Sequence, residues 1–127
     1  MMQRKLRCLY VEENKLPQEV VIPNNLKSKQ KMVGGYIEYT HLLNDDSIAI
    51  ICNEEGKLNG MGPNRDIGYD IIYGPFLIVR ECYEDGEDRS LSDEQISKYK
   101  RVFNEKSIEN TIEKYNQIKM QDSDYYL

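Results

Sequence analysis

The 127-residue sequence predicts an α+β domain: an antiparallel or mixed sheet of four to five strands, with two C-terminal helices packed on one face. Three observations point there. Ile48-Ala49-Ile50-Ile51-Cys52 and Phe76-Leu77-Ile78-Val79 are continuous apolar runs of strand length, as in strands buried on both faces. The connections after Leu43 and Cys52 are short enough for hairpins, which makes antiparallel pairing natural there. Residues 92–118 repeat apolar side chains at helical spacing behind a clear start signal.

Taken in order, residues 6–11 alternate apolar and polar and read as a strand, and residues 19–22, closed by Pro23, as a second, with residues 14–17 the loop between them. Asn24 or Asn25 caps a short helix with Leu26, Lys29/Gln30 and Val33 on one face, and Gly34-Gly35 ends it by accepting left-handed backbone angles. Residues 36–42 read as a strand, residues 44–47 as a turn, and residues 48–52 as the central strand. Gly56 is expected at positive φ in a turn that reverses the chain. Residues 57–68 hold Gly60, Gly62, Pro63, Asn64 and Gly68, too many breakers for a regular element, and read as an ordered loop. Residues 70–80 read as one strand, bent or bulged at Gly74-Pro75.

An acidic turn, Glu84-Asp85-Gly86-Glu87-Asp88, leads to Ser92, which forms a capping box with Gln95 while Leu91 and Ile96 are placed as a hydrophobic staple. The helix that follows carries Ile96, Tyr99, Val102 and Phe103 on one face. A second, from about Ser107, carries Ile108, Ile112, Tyr115 and Ile118, so both are expected to be half-buried. Residues 1–120 then make one domain, and residues 121–127 a polar tail that is frayed or docked on a neighbour.

Seventeen Lys and Arg against twenty-two Asp and Glu leave a net charge of −5, which argues against direct DNA binding, since phosphate backbones call for clustered positive charge. The charge is uneven. Residues 1–33 carry seven basic and three acidic side chains, a balance of +4, leaving ten basic and nineteen acidic, or −9, for the remainder. Such polarity permits self-association. No apolar run approaches the roughly 20 residues that cross a bilayer, and the start lacks a signal-peptide stretch, so no membrane partner and a cytoplasmic location are expected. Cys8, Cys52 and Cys82 lie far apart in apolar runs, and His41 is the single histidine. Zinc or thiol redox roles are therefore not expected; the cysteines read as small core residues, and His41 as a surface or half-buried side chain without a nucleophile to serve.

Val33-Gly34-Gly35-Tyr36-Ile37-Glu38, Cys52-Asn53-Glu54-Glu55-Gly56-Lys57-Leu58, Pro63-Asn64-Arg65, Asp70-Ile71-Ile72-Tyr73-Gly74 and Leu91-Ser92-Asp93-Glu94-Gln95-Ile96 occur in this order. Together they resemble the family catalogued as domain of unknown function 3846, small proteins of phages, plasmids and other mobile elements of Firmicutes. The resemblance covers roughly residues 30–103. It implies a setting, the cytoplasm of a host cell, and no reaction.

The candidate site is the polar block around the glycine-rich segment. Arg65 offers a bidentate fork for phosphate or carboxylate and Lys57 a point charge, with Asn53, Glu54 and Asn64 beside them. Ten tyrosines against two phenylalanines and no tryptophan favour a recognition surface, and Tyr36, Tyr69 and Tyr73, with Tyr39 in the same stretch, fall around this block. The alternative is structural: residues 53–56 form a hairpin turn and Arg65 pairs with Glu54, Glu55 or Asp66 to pin the loop. No nucleophile, base or metal-ligand set is recognisable, so no catalytic residue, metal or cofactor is assigned. The leading expectation is a non-enzymatic phage or mobile-element protein that counters host defence by sequestering a nucleotide-derived signalling molecule, as a dimer or larger oligomer. The alternative is a protein–protein inhibitor or adaptor that docks a host enzyme through an acidic surface, residues 84–94, or through Tyr125-Tyr126-Leu127.

Overall fold

The computed structural model describes residues 4–82 and 84–125, with side chains for residues 4–82 and 84–121. In β1 (Lys5–Val11) Leu6 and Cys8 turn to one face and Leu9 and Val11 to the other, all fully buried, so this strand lies inside the sheet. β2 (Gln18–Pro23) pairs with it antiparallel and forms an edge. α1 (Leu26–Val33) starts where Asn25 Oδ1 accepts the Ser28 N–H at 2.8 Å and stops at Gly34, whose φ of 80° lets its N–H reach the Gln30 carbonyl. β3 (Ile37–Leu42) and β4 (Asp45–Asn53) follow as a hairpin with a register shift between Thr40 and Leu42. The turn expected at 44–47 is shorter, because Asp45 already pairs with Leu42.

The chain then departs from the expected pattern. No hairpin follows Cys52, and Gly56 is not at positive φ. Residues 54–60 coil into tight turns that end at Gly60, φ 77°, and Gly56 is needed because a Cβ there would come within 2.5 Å of the Tyr73 carbonyl oxygen. The expected loop contains β5 (Pro63–Asp66), paired antiparallel with β6 (Ile71–Tyr73) as a separate two-stranded sheet. Residues 70–80 are therefore not one bent strand. Gly74, at φ 81°, breaks them, and β7 (Phe76–Glu81) enters the main sheet. β8 (Asp88–Arg89) pairs with the end of β7.

The main sheet runs β2-β1-β7-β4-β3 with β8 beside β7, and every pairing is antiparallel. The middle of the five is β7, not β4, which lies between β7 and β3. A fully apolar run suits either position, so composition alone could not order them. α2 (Asp93–Val102) begins with the expected capping box: Ser92 Oγ accepts the Gln95 N–H at 3.1 Å and Gln95 Oε1 accepts the Ser92 N–H at 2.9 Å. It seats Ile96, Tyr99 and the following Phe103 against Leu9, Val11, Ile48, Ile50, Phe76 and Ile78, with Phe76 and Phe103 edge to face at 5.7 Å. The opposite face carries Leu6, Cys8, Ile22, Ala49, Ile51, Leu77 and Val79, with Met32 of α1 packed on them.

α3 (Glu105–Tyr125) lies against β5 and so reaches the α2 side of the molecule through the small sheet. Its buried contact is Thr111, whose hydroxyl accepts the Asp66 N–H, whereas Ile112 and Ile118 are exposed. The helix starts at Glu105 and continues through residues 121–125, which were expected as tail; Tyr126 and Leu127 lie outside the described residues. Among the described residues no helix is long and apolar enough to cross a membrane.

Asp45 joins the two layers, accepting hydrogen bonds from Ser47 and the Tyr99 hydroxyl beside Lys98. Burial by itself raises its pKa, but the Ser47 and Tyr99 hydrogen bonds and the Lys98 ammonium outweigh it and hold the group down at about 2. A carboxylate with a folded pKa below its unfolded value of about 4 stabilises the fold above that pH, and the contribution disappears as pH falls through about 2. Urea denaturation from pH 5 to pH 2 is expected to show this loss, and Tyr99→Phe to make it smaller; an unchanged pH profile in Tyr99→Phe would remove the Tyr99 hydrogen bond as a contributor to it.

Candidate functional site

The end of β4 organises one side of the protein. Asn53 is buried there: its Nδ2 donates to the Val33 carbonyl at 3.1 Å and its Oδ1 accepts the Glu55 N–H at 2.8 Å, tying the end of α1 to the turn at residues 54–60. The Glu54 N–H donates to the Tyr36 carbonyl at 2.9 Å, extending the hairpin by one rung. Between this turn, the α2-side surface of β3 and the hairpin β5–β6 lies a cleft of about 160 Å³. Its floor is Cys52, Ile71 and Ile72; its walls include Glu38, Thr40, Glu54, Lys57, Asp70 and Tyr73. Three carboxylates thus face one ammonium. The Lys57 Nζ stands 5.6 Å from the Tyr73 ring centroid, a cation–π arrangement that already occupies it. Glu38 and Glu54 have no ion-pair partner among the described residues, while the Asp70 Oδ1 accepts its neighbour Ile71 N–H at 2.8 Å. Burial pushes the Cys52 thiol up to about 11, so it is a floor residue and not a thiolate at neutral pH.

Arg65 lies elsewhere. It is the bulkiest of the fully buried side chains, with Nε donating to Ser107 Oγ at 2.9 Å, Nη1 to Asn64 Oδ1 at 2.8 Å and to the Asn64 carbonyl at 3.2 Å, and Nη2 to the carbonyls of Lys15 at 2.6 Å and Phe103 at 3.1 Å. None of these partners is a carboxylate. Burial lowers its pKa to about 10, which leaves it charged at neutral pH. Asn64, also buried, donates from Nδ2 to the carbonyls of Val11 and Gly74 at 2.9 and 2.8 Å. The pair holds β1, β5, the Gly74 break and the α2–α3 junction together.

The sequence profile of the domain of unknown function (DUF3846) matches residues 6–104. The chain belongs to this family. No curated protein matches it, and no solved structure does. The matched part of the DUF3846 protein contains every residue of the cleft together with Asn64 and Arg65, and ends just before α3.

Of the eight sequence-selected residues, Asn53, Glu54, Lys57 and Tyr73 line the cleft. Tyr36 is 75% exposed at the start of the hairpin. Tyr69 adjoins the cleft, its hydroxyl hydrogen-bonded to the His41 carbonyl and to Thr40 Oγ1, each at 2.6 Å. Asn64 and Arg65 do not join the group: their donors are engaged within the chain, and Arg65 anchors its segment through carbonyls rather than through Glu54, Glu55 or Asp66. Glu38, Thr40 and Asp70 also line the cleft and are not among the residues that the sequence singles out for the site. Strand alternation was the available signal, since it puts Glu38 and Thr40 on the same face as Cys52.

Tyr39, grouped with the cleft tyrosines by position, points to the other face of the sheet. There its hydroxyl and the Lys29 Nζ both donate to Asp88 Oδ2 at 2.6 Å, in a nearly buried ion pair. The acidic turn is thus partly consumed internally, Asp85 also pairing with Arg89 at 2.6 Å. His41 is exposed against Glu81, 2.7 Å away. Cys8 and Cys52 are buried as expected, whereas Cys82 is only half-buried. Among the described residues no group of His, Cys, Asp and Glu is arranged to hold a metal ion.

The Arg65 geometry gives a direct expectation. Replacing it by Ala leaves the carbonyls of Lys15 and Phe103 and the Asn64 amide without their donors and opens a cavity, so Arg65→Ala is expected to lower stability by about 3–5 kcal/mol in chemical denaturation. A loss below about 0.5 kcal/mol would contradict the structural role.

Proposed function

We propose that this DUF3846 protein is a non-enzymatic binding module that captures a basic side chain or segment of a host protein in the cleft between β3 and β6. The observation that carries the reading is the cleft's charge: Glu38, Glu54 and Asp70 against Lys57 alone, with the Lys57 ammonium over Tyr73. Carboxylates without cationic partners attract a cation, and in a partly enclosed cleft they are screened less than at an open surface. The cleft's size supports the same choice. Sites that bury small-molecule ligands run about 300–1,000 Å³, whereas about 160 Å³ suits a guanidinium or ammonium group. The mobile-element setting implied by the family resemblance supplies a reason for a host protein as the partner. The acidic surface used in this reading is the cleft and not the turn at residues 84–88, whose Asp88 and Asp85 are already paired.

One feature favours the second reading, sequestration of a nucleotide-derived signalling molecule. Lys57, Tyr73, Tyr115 and Lys119 form a continuous cation–aromatic row, the two rings 6.3 Å apart edge to face and Lys119 Nζ 5.4 Å from the Tyr115 centroid. Two lysines and two rings suit a phosphate and a base. The small cleft would then need a second copy of the chain to enclose the ligand, in keeping with the oligomer expected from the sequence.

Calorimetry separates the two. A short Lys/Arg-rich peptide is expected to bind more weakly as salt rises, and Glu38→Gln with Glu54→Gln to weaken it about tenfold or more without a comparable fall in melting temperature, because both side chains are exposed and unpaired. Heat from cyclic nucleotides or ADP-ribose derivatives, with none from the peptide, would reverse the assignment.

A further inference from the structure

The cleft runs beside an open sheet edge. β3 ends the main sheet, and among the described residues no strand pairs with its outer side. Because the Tyr36 carbonyl accepts the Glu54 N–H, the alternation of an antiparallel ladder turns the backbone groups of Ile37 and Tyr39 away from β4. Open edges of this kind are normally blunted by bulges, charges or covering groups. Here the blunting is confined to the far end, where the register shifts between Thr40 and Leu42 and the Tyr69 hydroxyl caps the His41 carbonyl. Among the described residues no strand covers the stretch from Tyr36 to Tyr39, and it is the stretch whose Glu38 side chain forms the cleft wall.

Building on the cleft reading, we propose that β3 receives an extended segment of the partner protein as an added antiparallel strand, with basic residues at alternate positions entering the cleft. Charge complementarity selects this occupant: residues of an added strand opposite Glu38 share its face and meet Glu38, Glu54 and Asp70. Residues opposite Ile37 and Tyr39 fall on the other face and carry the backbone hydrogen bonds to the edge. Strand addition supplies affinity through the main chain and specificity through every second side chain. Tyr36 and Leu58, 75% and 85% exposed at the same end, offer the apolar contacts that a row of carboxylates lacks.

The probe is a blocked peptide of alternating Lys and Val, about eight residues long to match a typical strand, read by fluorescence anisotropy on the intact protein. Two further versions carry backbone N-methyl groups, on the Val amides or on the Lys amides. Methylated Val amides are expected to cost about tenfold or more in affinity and methylated Lys amides little, since only the residues opposite Ile37 and Tyr39 donate to the edge. Glu38→Gln is expected to weaken the parent peptide as well. Equal binding of all three peptides, still sensitive to Glu38→Gln, overturns strand addition and leaves the cleft reading standing. A parent peptide that does not bind, or that binds Glu38→Gln equally well, overturns the cleft reading itself.

Discussion

The fold turns on one buried charge. A guanidinium taken out of water costs several kcal/mol unless its donors are met, and the usual partner is a carboxylate. Arg65 is satisfied instead by carbonyl oxygens from Lys15 and Phe103, by Asn64 and by the Ser107 hydroxyl. Those partners lie on the β1–β2 loop, the residue after α2 and the start of α3, so meeting its donors requires these parts to be in place together. Asn64 extends the constraint, because its amide donates to both Val11 and Gly74. Gly74 is where the chain leaves the small sheet for β7. The hairpin β5–β6 is thereby fixed over β4, and its separation from β3 sets the width of the cleft.

How much of this was legible depended on how local the physics is. Ser92 and Gln95, Asn25 and Gly34 report their conformations through hydrogen bonds made within four residues, and the structure has the caps where the sequence places them. The apolar runs at 48–52 and 76–79 are strands for an equally plain reason. The segment from Gly56 to Gly74 resisted because its order is set from outside. β5 carries Pro63 and three polar residues, no strand signal at all, and becomes a strand because Asn64 and Arg65 find partners 38 to 53 residues away. Polar residues that look available for a ligand are the same types that satisfy a buried network, and sequence spacing does not separate the two uses. Half of the eight selected residues reached the cleft, since Asn53, Glu54, Lys57 and Tyr73 are carried there by a strand end, a turn and β6.

Charge gives a further sorting principle. The excess of acid beyond residue 33 is not spread evenly over function. Asp88 neutralises Lys29 on the α1 face, Asp66 meets Lys114 at 3.0 Å, Asp45 holds Tyr99 and Lys98, and Asp93 meets Arg7. Each of these carboxylates joins two elements that are distant in sequence. Among the described residues, Glu38 and Glu54 have no ion-pair partner. An exposed carboxylate is ordinarily a solvated one and contributes little to stability, but two of them converging with Asp70 around an apolar floor raise the local negative potential without any internal cation to balance it beyond the Lys57 ammonium over Tyr73. The imbalance sits against the outer edge of β3, with which no strand pairs among the described residues.

α3 supports the cleft from outside the matched segment. It begins where the DUF3846 match ends, and its first turns meet the body: Ser107 on Arg65, Thr111 and Lys114 on Asp66, and Tyr115 on Tyr73. Residues 116–121 are exposed throughout, so that stretch relies on helix propensity and on continuation from the docked turns, a weak source of order in water. The Arg65 donors to Lys15, Asn64 and Phe103 all fall inside the matched segment. The cleft walls on β3 and on the turn at 54–57 are thus held by contacts inside the matched segment, whereas the hairpin β5–β6 is also braced by Ser107, Thr111 and Lys114 of α3. The helix meets the cleft wall through Tyr115, edge on to Tyr73, where it adds a ring and the Lys119 charge beside the site.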